Sequence, residues 1–254
     1  MEKVFAIGDI HGSYELLEKI LQCWNSDEEQ LVFLGDYIDR GPDSLRVIQK
    51  VMELSEEYDA VTLIGNHEQI FLNWLEKPDQ ISEFYFNLKV GGAATVQSLL
   101  SFDSTIESTS YTSKEMVDKI KEQHPKIVSF MKGLGHYYYW NPFVFVHAGI
   151  DATVENFKDT KKEDFLWIRD EFTSTPHKSK ETVVFGHTPT IFLNEDRTSK
   201  VWLSPCKKKI GIDGGGAIYE NGRLHGVVFT KGSDDVTVFS TSLNEEVYSY
   251  IIQL

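Results

Sequence analysis

The stretch LVFLGDYIDRG, residues 31–41, decides how the rest of the chain is read. Four apolar residues, Leu31 to Leu34, run into Gly35, and Asp36, Asp39, Arg40 and Gly41 follow within six positions. A short apolar run that ends in glycine reads as a buried strand stopping at a tight turn. Asp36 then stands just past the carboxyl end of a central strand, where open α/β sheets bind their ligands. Carboxylates are seldom buried unless they are paired or hold a metal. Alone, the stretch reads equally well as a surface loop with one Arg–Asp pair.

The same pattern lies on both sides of it. Residues 4–7 are apolar, GDIHG fills 8–12, Ser13 is placed to cap a helix, and Leu16, Leu17, Ile20 and Leu21 recur at helical spacing over 14–24. After GDYIDRG, Pro42 and Asp43 open a helix to about residue 57, with Leu45, Ile48 and Met52 on one face. Residues 61–64 form a third apolar run; GNHE follows at 65–68, then a helix with Ile70, Phe71, Trp74 and Leu75. Three such units predict an α/β fold with a mostly parallel sheet flanked by helices.

Residues 78–135 break the rhythm. Helical patterns over 81–88, 93–100, 113–122 and 126–134, separated by Gly91-Gly92 and a Ser/Thr-rich run at 101–113, predict a helical cap insertion. With no long hinge flanking it, residues 1–254 are read as a single domain. Strands are predicted at 137–140 and 143–146, a helix carrying Trp167 and Arg169 at 162–172, and a strand at 183–185. Short strands at 201–203, 210–212, 224–229, 236–240 and 247–251, broken by glycine-rich turns, predict antiparallel pairing.

Five of these strands deliver polar residues straight after their last apolar position. They are Asp9 and His11; Asp36, Asp39 and Arg40; Asn66 and His67; His147; and His187. The sheet rule gathers them along one edge. Carboxylate, amide oxygen and imidazole without cysteine suit manganese, iron or zinc in a catalytic setting, not a thiolate zinc site. Asp9, His11, Asp36, Asn66, His147 and His187 are too many ligands for one open metal site, and enough for two if Asp36 is shared. His124, His136, His177 and His225 have no such setting and read as ordinary surface or core residues.

The formal net charge of −14 argues against a partner such as duplex nucleic acid or an anionic membrane. Two distant cysteines, Cys23 and Cys206, no signal-peptide pattern and no membrane-length apolar run lead us to expect a cytoplasmic protein. Lys207–Lys209 reads as a solvated strand edge before it reads as an anion site. Tyr137–Tyr139 and Trp140 read as strand packing before adenine stacking.

Taken together, GDIHG, GDYIDRG, GNHE, His147-Ala148-Gly149 and GHT resemble the phosphoprotein phosphatase family of metallophosphoesterases, closest to its bacterial and phage-type members. The resemblance implies a calcineurin-like sandwich of mixed β-sheets flanked by helices. It implies Asp9 and His11 as ligands of a first metal, Asp36 as the bridge, and Asn66, His147 and His187 as ligands of a second. It further implies a hydroxide held between the metals, His67 as general acid with Asp39 behind it, and Arg40 on the phosphate. The family's eukaryotic members carry an arginine where this chain has Ile64; Arg169 is the candidate replacement. Gly91-Gly92-Ala93-Ala94-Thr95 resembles a segment near the site in bacterial relatives. The implied activity is serine/threonine protein phosphatase, with a diadenosine tetraphosphatase or other nucleotide phosphohydrolase as the alternative. A non-catalytic metal-binding interaction protein is the third.

Overall fold

The computed structural model describes residues 1–101 and 110–254. The apolar run at 31–34 lies in and just after β2 (Glu29–Phe33), which pairs in parallel with β1 (Lys3–Ile7) and β3 (Val61–Thr62). A helix follows each strand: α1 (Tyr14–Leu21), α2 (Ser44–Tyr58) and α3 (Asn66–Glu76). Leu16, Leu17 and Ile20 of α1 and Val47, Ile48, Val51 and Leu54 of α2 are buried, at the spacing that keeps one helical face inward. β3 is two residues long because the chain then turns to residue 135: the Ile64 amide donates to the Gly135 carbonyl at 2.8 Å.

The expected mostly parallel sheet is half of a mixed one. β9 (Leu224–Thr230) pairs antiparallel with β1, followed by β10 (Asp235–Thr241) and β11 (Tyr248–Gln253), giving the order β11-β10-β9-β1-β2-β3. A second sheet holds β4 (Tyr137–Trp140), β5 (Phe143–Val146), β6 (Thr182–Phe185), β8 (Lys209–Gly211) and β7 (Trp202–Leu203), in that spatial order. β6 and β8 run parallel, so pairing after residue 200 is not uniformly antiparallel as expected.

Strand alternation assigns each face. Phe5, Ile7, Leu31 and Phe33 turn toward the helices, while Val4, Ala6, Val32 and Leu34 meet Phe143, Phe145, Val184 and Ile210 of the second sheet. Burying each such aliphatic or aromatic side chain is worth roughly 1.5–3 kcal/mol. This sheet-on-sheet core sets the strand ends of both sheets side by side.

Residues 78–132 supply α4 (Pro78–Tyr85), α5 (Gly92–Leu100), α6 (Ser113–Gln123) and α7 (Pro125–Lys132). They pack on α2 and α3, and Tyr85, Val96, Leu99, Ile120 and Met131 share one apolar cluster with α1–α3. Of the expected Ser/Thr-rich separator, residues 102–109 lie outside the described residues. The helix expected over 162–172 is broken into α8 (Lys162–Trp167) and α9 (Asp170–Thr173). Ile168 takes an extended ψ of 140° and packs into the apolar cluster of β5 and β6, which swings Arg169 out of helical register. Among the described residues no helix is long and apolar enough to cross a membrane.

Candidate active site

The site residues follow β1, β2 and β3 of the first sheet and β5 and β6 of the second. They therefore converge from two sheets, not along one sheet edge as the sequence pattern predicted. Asn66 and His67 occupy the first turn of α3. Five candidates, His11, Asp36, Asp39, Arg40 and His187, hold positive φ between 47° and 70°. Non-glycine residues adopt that region at a cost, and such strain collects at functional sites.

Glu68 pins the strained turn. Its carboxylate accepts the backbone N–H of Asp36 and Tyr37 at 2.8 Å each and of Gly65 at 2.9 Å. A side chain at Gly65 would drive a Cβ to 2.1 Å from Asp36 Oδ1, so glycine is required there. The buried Asp36 carboxylate then has His11 Nε2 3.4 Å from Oδ2 and His147 Nε2 3.5 Å from Oδ1. His67 Nε2 lies 3.9 Å from Oδ2. Burial alone would raise the Asp36 pKa; the imidazoles of His147, His67 and His11 outweigh it and hold the carboxyl well below its usual range.

The donor set fits cations. His147 Nδ1 donates to the Leu34 carbonyl at 3.0 Å, so in the neutral ring Nε2 carries a lone pair. That lone pair points at Asn66 Oδ1, 2.9 Å away, and at Asp36. His187 Nδ1 is 2.8 Å from the same Asn66 oxygen, and its Nε2 has no partner among the described residues. Burial lowers the pKa of both rings, which disfavours meeting this crowding with protons. The His147 lone pair facing the Asn66 oxygen and the Asp36 carboxylate is a meeting of acceptors that a divalent ion satisfies. His11 repeats the logic: its Nδ1 donates to the Ile38 carbonyl at 2.8 Å, and Nε2 meets the Arg40 guanidinium at 2.5 Å. The groups His11–Asp36–His67 and Asp36–His147–His187 could each hold a metal, and both contain Asp36. Asp9 accepts the His187 amide at 3.0 Å. Burial first, then the charges of Asp213 and Asp36, push Asp9 well above the usual carboxylate range. A nearby cation reverses such a shift.

His67 and Asp39 form a buried dyad, with His67 Nδ1 2.7 Å from Asp39 Oδ2. The other Asp39 oxygen accepts the Thr95 hydroxyl at 2.7 Å and the Tyr85 hydroxyl at 3.1 Å. Thr95 Oγ1 also accepts the Asp39 amide at 2.8 Å. Burial works against protonating His67, but Asp36 and Asp39 prevail and its pKa is raised. The segment 91–95 thus both opens α5 and reaches the site. Gly91 (φ 83°) lies so close to Arg40 that a Cβ would sit 2.7 Å from the Arg40 nitrogen.

Arg169 makes no ion pair with Asp170 or Glu171 among the described residues; it donates to the His187 carbonyl at 3.0 Å and to Thr188 Oγ1 at 3.3 Å. Arg40, Arg169 and His187 line one cleft of about 720 Å³ with Lys89, Phe192 and Tyr219. The basic run does not line it: Lys209 is buried with Nζ on the carbonyls of Phe172 and Thr175, both at 2.5 Å. Tyr137 and Tyr139 pack on Phe157, as strand packing required. His225 is a buried core histidine donating to the Ser199 carbonyl at 2.6 Å.

Sequence reasoning did not single out Glu68, Tyr85 or Asp213. Glu68 was visible as the third residue after a helix cap. Tyr85 carries no local signal. Asp213 follows Ile212 in another apolar run ending in Asp-Gly, so it repeats the strand-end pattern; burial pushes its pKa up to about 6.

Residues 2–218 match the calcineurin-like phosphoesterase family. A bis(5′-nucleosyl)-tetraphosphatase PrpE (asymmetrical) of Oceanobacillus iheyensis is 29% identical over 213 residues, 74% of this chain and 78% of its own. Serine/threonine-protein phosphatase 2 of Salmonella typhimurium is 28% identical over 193 residues, 72% and 78% of the two chains. A crystal structure of a proposed diadenosine tetraphosphatase superposes with a TM-score of 0.62 at 21% identity, covering 96% of this chain and 95% of the other; at that identity it speaks for the fold. With the metal-compatible cluster at the ends of both sheets and this match across most of its length, the chain belongs to the calcineurin-like phosphoesterase family and is a phosphoesterase hydrolase.

Proposed function

We propose that the chain is a metal-dependent hydrolase of nucleoside polyphosphates. The observation that carries this reading is that Arg40, Arg169 and Lys89 line one cleft, more positive charge than a single phosphoryl group requires. The Oceanobacillus iheyensis relative, by its name, supports it. This reverses the order expected from sequence, which put a phosphoprotein first; the Salmonella typhimurium relative keeps that second reading in view.

Asp9, His11, Asp36, Asn66, His147 and His187 would hold two divalent ions, manganese first, with iron or zinc as alternatives. When bound, these cations supply Lewis-acid activation of water and neutralise phosphoryl charge. Arg40 and Arg169 fix the phosphoryl oxygens through their planar forks. His67 Nε2 delivers its proton to the departing oxygen as the phosphorus–oxygen bond breaks. Asp39, held by Thr95 and Tyr85, keeps the ring aimed. The helices of residues 78–135 are an insertion within one domain, and they serve the site through those two hydroxyls and Gly91.

Turnover of diadenosine tetraphosphate and of a phosphothreonine peptide, side by side with manganese and with chelator, tests this. The dinucleotide should win by about 10-fold or more in kcat/KM, the discrimination a few matched contacts supply. Preference for the peptide overturns the substrate class; no metal-dependent turnover of either overturns the mechanism.

A further inference from the structure

The cleft has an outer wall that the reaction does not use. Phe192 is 57% exposed, Leu88 is 97% exposed and Ile218 is 38% exposed, all on the rim of a highly charged site. Exposed apolar surface gathered at a cleft marks a contact for a ligand. The Phe192 and Tyr219 rings meet edge to face, 5.8 Å between centroids, so Tyr219 fixes Phe192 while leaving its outer surface free.

Backbone hydrogen bonds hold the wall in place. Phe192 lies in the short turn Thr190–Phe192, whose Thr190 amide donates to the Asp213 carbonyl at 2.8 Å. Tyr219 closes a turn on the Gly215 carbonyl at 3.1 Å, and the Gly215 amide donates to Asp213 Oδ1 at 2.8 Å. Both rings therefore hang from Asp213, just past the end of β8. The same cleft is lined by Arg40, Arg169 and Lys89.

An aromatic face in one cleft with three cations matches a flat base joined to a phosphate chain. A peptide side chain would use the apolar rim but leave the lysine without a partner. Resting on the nucleoside polyphosphate reading above, we propose that Phe192 and Tyr219 form a base-binding subsite, in which one nucleobase stacks on Phe192 while Lys89, Arg40 and Arg169 take the phosphates.

The test uses Phe192→Ala, Tyr219→Ala and Tyr219→Phe in the full chain loaded with manganese. Diadenosine tetraphosphate is the substrate, and inorganic triphosphate is a competitive inhibitor that reads the cations without a base. Loss of the stack should raise KM for the dinucleotide about 10-fold in both alanine variants, the size of a single base–aromatic stack. The inhibition constant of triphosphate should stay within about twofold, and Tyr219→Phe should restore KM because it keeps the ring. Unchanged KM in both alanine variants overturns the subsite. Equal weakening toward triphosphate also overturns it, since the rings would then only support the cations. If the unaltered enzyme turns over the peptide but not the dinucleotide, the substrate class fails and the base subsite falls with it. If it turns over the dinucleotide and KM does not respond, the subsite alone fails.

Discussion

Replacing His67 by asparagine removes the proposed proton donor while sparing its surroundings. The imidazole is buried with Nδ1 2.7 Å from Asp39, and the asparagine amide can still donate to that carboxylate. The fold should hold, which a melting curve checks. General acid catalysis contributes about 10²–10⁴ in rate, or about 2.7–5.5 kcal/mol of barrier. His67→Asn should therefore lower kcat for an alkyl phosphomonoester by about that factor, because an alkoxide departs poorly without a proton. With p-nitrophenyl phosphate, whose leaving group is stable as an anion, the loss should shrink to about 10-fold or less. Steady-state kinetics on the two substrates gives the ratio directly. Equal losses on both would refute the acid role and leave His67 as a positioning or metal-binding group. An unchanged rate on the alkyl ester would remove it from the mechanism.

Thr95→Val deletes the hydroxyl that donates to Asp39 Oδ1 and accepts its amide, so it should cost about 1.5–3 kcal/mol in a urea midpoint assay, the worth of a hydrogen bond to a charged group. It should also lower kcat more for alkyl than for nitrophenyl esters; loss of stability with no kinetic change would place Thr95 outside the dyad's support. Arg169→Ala should reduce kcat/KM about 10- to 100-fold by removing charge-assisted bonds to phosphate, read by initial rates at low substrate; an unchanged value would return Arg169 to a purely structural tie with His187. His225 is buried neutral, its pKa pulled down to about 4 chiefly by burial, so the unfolded chain takes up a proton that the folded chain refuses between about pH 6.5 and 4. Stability should fall by up to about 3 kcal/mol as pH drops through that window, and His225→Gln should flatten this limb of the melting profile; a limb of unchanged slope would show that other groups carry it.

The strand-end motifs were legible because each candidate ligand sits within a few residues of the apolar run that positions it. An apolar stretch, a glycine and a carboxylate or imidazole in succession fix a strand, its end and a polar tip, as at Phe33, Gly35 and Asp36. What joins distant segments was less legible. That the tips come from two facing sheets depends on the packing of Val32 and Ala6 against Phe145 and Val184, which no local pattern records. Tyr85 and Thr95 reach Asp39 across about fifty residues of sequence, and only the docking of α4 and α5 reveals their role. The break at Ile168 and Arg169 escaped notice because helical spacing of apolar residues persists through it. There, a tertiary bond from Arg169 to the His187 carbonyl overrides local preference. The Phe192–Tyr219 wall was hidden for a similar reason: its two rings lie on separate turns that meet only through Asp213.

The lone pairs around Asp36 and Asn66 suit two cations sharing one carboxylate. Metal analysis of the manganese-loaded chain after gel filtration, paired with phosphate release on the same sample, tests it most directly. The expected result is two manganese ions per chain, turnover that rises with the second equivalent, and loss of both metal and turnover in Asp36→Asn. Full turnover with no bound metal, or two ions retained in Asp36→Asn at an unchanged rate, would contradict it.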